Sequence, residues 1–256
     1  MKLLIPISFI LLVVLASCKK DEETQEPIRD VTEQAAADKD ALLEFLQSHT
    51  YNYEDFEVDN PTATIAIEID TLTDANSDKT PLIDWVQERQ INVYTNDGNV
   101  IPHTLYYLVA RQGVGAQPAV VDSTYVAYEG SLLNGTVFDQ RQSPIWFDLL
   151  QSIKGFREGV TAFKSGTYTV NEDNTVNFKN YGQGVLFIPS GMGYFSSTQA
   201  KIPAYSPLVF KISLFITKES DHDQDGILTK NEFDNNNDGT PDDTDEDGIP
   251  DYLDQD

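Results

Sequence analysis

Cysteine, histidine and positive charge are scarce in this chain. Its 256 residues hold one cysteine, three histidines and 17 Lys or Arg against 42 Asp or Glu, giving a formal net charge of −25. A single cysteine rules out an internal disulfide framework. With only His49, His103 and His222 and that one thiol, nucleophilic triads and zinc centres are poorly supplied. The acidic excess argues against nucleic-acid binding, which needs a basic footprint. Beyond the first fifteen residues there is also no apolar run long enough to span a bilayer.

The one apolar run that exists lies at the start. Met1-Lys2 is a short basic lead, and Leu3 to Leu15 is almost unbroken hydrophobic sequence closed by Leu15-Ala16-Ser17-Cys18. Residues 1–17 read as a secretory signal, too short for a comfortable span. Leu-Ala-Ser-Cys resembles the lipobox of bacterial lipoproteins, which implies lipidation of Cys18; the alternative is an ordinary signal with an incidental cysteine. Lys19-Lys20-Asp21-Glu22-Glu23 resembles the export signal of some Bacteroidetes surface lipoproteins, or is a plain solvated tether. The expectation is an outer-membrane lipoprotein facing the periplasm or the cell surface, touching the membrane through its N-terminal anchor.

Residues 18–33 are polar, include Pro27, and read as the lipidated tether. Asp30 with Glu33 forms a capping-box signal, and Ala37, Ala41, Leu42, Phe45 and Leu46 give the following helix an apolar face. Residues 34–100 are an N-terminal extension in which Ile65, Ile67 and Ile69 alternate as in a strand and Asn96-Asp97-Gly98-Asn99 is a turn; it shows no identifiable chemistry. From His103 the pattern turns to β. TLYYLVARQG, STYVAYEGSLL, GVLFIPSG and SPLVFKISLFI read as strands and TYTVNEDNTVNF as a hairpin. Between them Ile153, Phe156, Val160 and Phe163 fall at helical spacing, with Gly166 as the expected C-terminal cap. Many strands around one short helix predict an α+β domain over 101–218 with an antiparallel sheet wrapped on the helix.

One hairpin carries unusual cargo. In Tyr128–Gln140, YEGSLLNGTVFDQ, the turn dipeptide Asn134-Gly135 places a phenol, a phenyl ring and a carboxylate on one small ribbon. With SIKGFREGVTAFKSG, FIPSGMGYF and IPAYSPLVFKISLF in this order, the chain from His103 to Thr217 resembles the FKBP-type peptidyl-prolyl isomerases. The resemblance implies an FKBP-like antiparallel half-barrel around one helix with an apolar cleft between them. By motif, Tyr128, Phe138 and Asp139 match its aromatic wall and polar edge, and Ile153 the residue whose backbone amide binds the ligand. Phe156 takes the place of the family's usual tryptophan floor, Tyr194 matches its Ala-Tyr-Gly tyrosine, and Ile202 and Phe210 complete the wall.

The resemblance further implies proline-containing polypeptides as substrates, no cofactor for catalysis, and a pocket open to macrolide inhibitors. Three positions depart from the family pattern: Phe156 for tryptophan, Gly193-Tyr194-Phe195 for Ala-Tyr-Gly, and a longer hairpin over 167–184. Two other readings therefore stay open. One is a weakly active or inactive peptide-binding or chaperone module on the same fold. The other is a calcium-binding structural surface lipoprotein.

The last reading comes from the tail, where fifteen acidic residues from Glu219 to Asp256 face Lys230 alone. DHDQDGILTKNE fits the loop D-x-D-x-D-G-x5-E, with Asp221, Asp223, Asp225, Ile227 through its carbonyl, Thr229 and Glu232 as ligands. A second loop uses Asp234, Asn236, Asp238, Asp242 and Asp245, and a third Asp243, Asp245, Asp247, Asp251 and Asp254. Gly226, Gly239 and Gly248 stand at the sixth positions. The starts are too close for flanking helices, and the spacing resembles thrombospondin type 3 calcium repeats. The alternative is a disordered solubilising tail.

Overall fold

In the computed structural model, residues 27–57, 65–95, 97–236 and 238–255 are described. The expected signal segment and Cys18 lie outside them. No helix among the described residues is long and apolar enough to cross a membrane.

The chain enters through α1 (Val31–Ser48), whose N-cap Asp30 accepts hydrogen bonds from the Thr32 and Glu33 amides. Then come β1 (His49–Tyr51), β2 (Ile69–Thr71), β3 (Gln87–Tyr94), β4 (Val100–Arg111), β5 (Ser123–Leu132) and β6 (Val137–Asp148). They are followed by α2 (Lys154–Val160), β7 (Thr167–Val170), β8 (Val176–Lys179), β9 (Gly182–Ile188) and β10 (Leu208–Lys218). β1 pairs with β2 and β7 with β8, while six antiparallel strands form the main sheet in the order β3-β4-β9-β10-β5-β6. β3, from the N-terminal extension, is thus hydrogen-bonded into the same sheet.

The central strands are buried on both faces, and their alternation sorts the core into two layers. Along β9, Leu186 and Ile188 enter one cluster with Phe156, Val160 and Phe163, while Val185 and Phe187 enter the other with Leu42 and Leu46 of α1. α2 therefore covers one face and α1 with its short sheet covers the other. Two glycines let α2 sit close: a Cβ on Gly155 would lie 2.2 Å from Ile188 and one on Gly159 2.5 Å from Leu186. α2 ends at Val160 with Thr161 as its C-cap, short of the expected Gly166, whose amide bonds the Phe215 carbonyl instead. Phe163 still reaches the core from the turn that follows.

β6 lies at the sheet edge, which accommodates Pro144 and its missing ladder donor. Near the hairpin the register shifts: Gly130 faces Asp139 and Ser131 faces Val137, so Phe138 is the extra residue of a bulge.

Candidate functional site

That bulge explains the hairpin's cargo. Consecutive strand residues normally point to opposite faces; the extra residue lets Phe138 and Asp139 serve the same side. The Phe138 ring lies 5.5 Å from Phe210, and the Asp139 carboxylate accepts the Tyr128 hydroxyl at 2.5 Å. Gly130 completes the arrangement, because a Cβ there would meet Phe138 at 2.5 Å and Phe210 at 2.9 Å. Phe210 faces Gly130 directly across β10 and β5.

Phe156 from α2 forms the floor at 3% exposure. Its ring is 5.3 Å from Phe210 and 6.3 Å from Tyr128, both edge-on, the geometry ring quadrupoles favour. Phe147, absent from the sequence-based set, stands 5.5 Å from Tyr128 and 5.6 Å from Phe156. Ile153, Tyr194 and Ile202 pack on the same cluster, so the structure brings all eight expected cleft residues together. Ile153 is the N-cap of α2, and its amide meets no backbone acceptor among the described residues. Burial, then the bond to Asp139, raises the Tyr128 hydroxyl above the usual tyrosine range, so it stays a protonated donor. Arg141 lies 3.5 Å from the other oxygen of Asp139. What results is an apolar, ring-walled site with one phenol–carboxylate pair at its edge and no thiol or metal cluster among its residues.

Phe195 adopts φ 47, and its ring packs edge-on against Tyr205 at 5.2 Å. The longer hairpin, β7–β8, rests its Phe178 on Tyr125 and Phe215, rings outside the cleft cluster.

The tail forms three loops with one hydrogen-bond scheme. The sixth-position amides of Gly226, Gly239 and Gly248, all at positive φ, donate to the first-position carboxylates of Asp221, Asp234 and Asp243. The ninth-position side chains of Thr229, Asp242 and Asp251 accept the second-position amides of His222, Asn235 and Thr244. Those three side chains thus also brace their loops from within. Carboxylate oxygens of Asp221, Asp223 and Asp225 gather within 4.8 Å of one another, as do those of Asp243, Asp245 and Asp247. In the first loop Asp223 Oδ2 and Glu232 Oε2 are buried with no hydrogen-bond partner. Both residues are only 9% exposed. Burial and the neighbouring Asp225, Asp223, Asp221 and Asp251 push the Glu232 carboxyl upward. Unpartnered buried carboxylate oxygens facing further carboxylates are costly without a cation, so this donor set fits a hard divalent ion.

A family model described as FKBP-type peptidyl-prolyl cis-trans isomerase matches residues 115–215. The chain is 35% identical over 114 residues to a probable FKBP-type peptidyl-prolyl cis-trans isomerase FkpA of Neisseria meningitidis serogroup B, covering 43% of this chain and 36% of the relative. It is 30% identical over 125 residues to the outer membrane protein MIP of Legionella longbeachae, covering 47% of each. A crystal structure of a peptidyl-prolyl cis-trans isomerase from Pseudomonas syringae pv. tomato is 25% identical, covers 50% of this chain and 81% of that one, and superposes with a TM-score of 0.38. The chain spans less than half the length of these two curated relatives.

Proposed function

We propose that the FKBP-type isomerase domain of this chain makes it a peptidyl-prolyl cis-trans isomerase acting on exported or surface polypeptides. The observation that carries the reading is the closed ring cluster of Tyr128, Phe138, Phe147, Phe156 and Phe210 with the Tyr128–Asp139 pair at its edge. Prolyl rotation is opposed by amide resonance, a barrier of about 20 kcal/mol. Twisting the bond abolishes the resonance and reduces the amide dipole, so an apolar cleft binds the twisted form better than the planar one. No bond is made, and no cofactor is required. In this reading the open Ile153 amide takes a peptide carbonyl and the rings take the pyrrolidine. The test is prolyl cis/trans exchange of short proline peptides with and without the protein, and its competition by tacrolimus. Catalysed exchange that the macrolide suppresses supports the reading; unchanged exchange sinks it.

Two further parts belong to the same proposal. Cys18 carries a lipid that anchors the body at the outer membrane; fatty-acid labelling that survives Cys18→Ser would refute this. The tail binds calcium through Asp221, Asp223, Asp225, the Ile227 carbonyl and Glu232 in the first loop. The following loops use Asp234, Asn236, Asp238, Asp243, Asp245, Asp247 and Asp254. The ion's chemistry here is structural: it neutralises carboxylates that otherwise repel and so orders the tail.

A further inference from the structure

α1 of the N-terminal extension meets the loop after β9 through a buried contact. Asp38 of α1 is 2% exposed. One of its oxygens accepts both the Ser190 amide at 2.7 Å and the Ser190 hydroxyl at 2.6 Å. The other accepts the Gln34 side-chain amide at 2.7 Å, and the Gln34 oxygen in turn accepts the Arg29 guanidinium at 2.9 Å. Arg29 lies 4.4 Å over the Tyr205 ring, and its backbone amide donates to the Tyr205 hydroxyl at 3.1 Å. Tyr205, Arg29, Gln34, Asp38 and Ser190 therefore form one unbroken chain of contacts.

Its two ends matter because of what lies between them. Ser190 opens, and Tyr205 closes, the loop from β9 to β10 that carries Tyr194 and Ile202 to the cleft wall. The loop is narrow at its neck, where the Tyr205 amide donates to the Phe195 carbonyl at 2.6 Å. Both neck residues sit in the left-handed region, Phe195 at φ 47 and Tyr205 at φ 62. Aromatic side chains do not favour that region, and the surroundings must impose it. The opening turn is equally confined: a Cβ on Gly191 would fall 2.1 Å from His103 Nε2 of β4, so the turn is wedged between α1 and the sheet.

We infer that α1 is part of the isomerase site, with Asp38 and Arg29 as positioning residues that fix the Tyr194–Ile202 wall from both ends of its loop. A carboxylate taking three hydrogen bonds in a buried place is a rigid anchor. The Arg29–Tyr205 stack is a weaker clasp at the rim. The inference rests on the isomerase reading, and its experiment separates the two.

The full chain is compared with Arg29→Ala, Arg29→Lys and Asp38→Asn by amide hydrogen exchange over residues 193–205 and by steady-state turnover of a short proline peptide. In Arg29→Ala and Asp38→Asn, exchange over the loop rises about tenfold while β5 and β6 keep wild-type protection. The peptide KM rises about fivefold with kcat little changed, and Arg29→Lys, which keeps a cation but not the planar guanidinium, loses less than Arg29→Ala in both readouts. Loop exchange unchanged in both variants overturns the inference. So does a loosened loop with unchanged KM in an active enzyme. A wild type that neither binds nor turns over the peptide sinks the isomerase reading and with it the catalytic half of the inference; the loop exchange still decides whether Asp38 and Arg29 fix the loop. Arg29 is at the surface, so its variants report even where Asp38→Asn fails to fold.

Discussion

The Tyr128 hydroxyl donates to Asp139 at 2.5 Å across the rim of the aromatic cluster, from β5 to the bulged start of β6. Neither group is fully buried, yet the pair fixes a phenol against the rings of Phe147, Phe156 and Phe210. Tyr128→Phe and Asp139→Ala are each expected to lower kcat/KM by about tenfold, the scale of one lost charge-assisted hydrogen bond. Asp139→Asn keeps an acceptor and should lose less. Because burial and Asp139 raise the tyrosine, activity should not change through ionisation of Tyr128 below about pH 10. Peptide kinetics on the three variants across pH check this.

Gly130→Ala tests the bulge. The added carbon would stand 2.5 Å from Phe138 and 2.9 Å from Phe210, so one ring must move. The protein should lose about 1–3 kcal/mol of stability by overpacking and bind proline peptides more weakly. Urea denaturation and a peptide titration measure both; a variant identical to wild type in each would show the rings free to shift.

His103 sets an acid limit. Its Nδ1 lies 3.0 Å from the Ile101 carbonyl, Nε2 is buried without a partner, and burial lowers its pKa despite the nearby Asp38, with Lys154 adding to the lowering. The unfolded chain therefore takes up a proton first as pH falls. The corresponding stability is complete above about pH 6.5 and declines below it, by at most about 1.4 kcal/mol per pH unit. Urea midpoints at neutral and acidic pH should converge in His103→Gln relative to wild type. An equal acid loss in both would assign the effect to other groups.

Much of the ring cluster was legible in sequence because its signals are local or carried by whole segments. Asn134-Gly135 announces the hairpin, and Gly135 does take φ 82. The four segments carry seven of the cluster's rings and aliphatic groups. What escaped detection depends on distance along the chain. Phe147 reads as an ordinary strand residue until β6 is wound past its bulges. Asp38 and Ser190 stand 152 residues apart, and nothing in a helical polar position marks a buried anchor. The extension's mixed pattern became two layers because β3 and β4 complete a sheet whose other face needs α1 as cover. The helix cap expected at Gly166 failed for a related reason: Gly166 lies close to the Lys179 carbonyl and Tyr181, where tertiary approach, not a helix end, requires glycine.

The first tail loop makes its own forecast. Buried Glu232 Oε2 and Asp223 Oδ2 lack partners, so calcium should protect residues 219–255 from proteolysis, and chelation should expose them. Glu232→Gln should weaken binding by at least about tenfold through loss of the bidentate ligand. Calorimetry with calcium against magnesium reads this; protection indifferent to both ions would make the tail a plain acidic segment.

Whether the ring-walled site isomerises prolyl bonds is read from two-dimensional NMR exchange on a set of short proline peptides. Wild type should accelerate cis/trans exchange, and the double variant Asp139→Ala with Tyr194→Phe, folded by its amide spectrum, should lose that acceleration. Peptides that bind the wild type yet exchange at the uncatalysed rate would contradict the isomerase reading and leave a binding module on an isomerase fold.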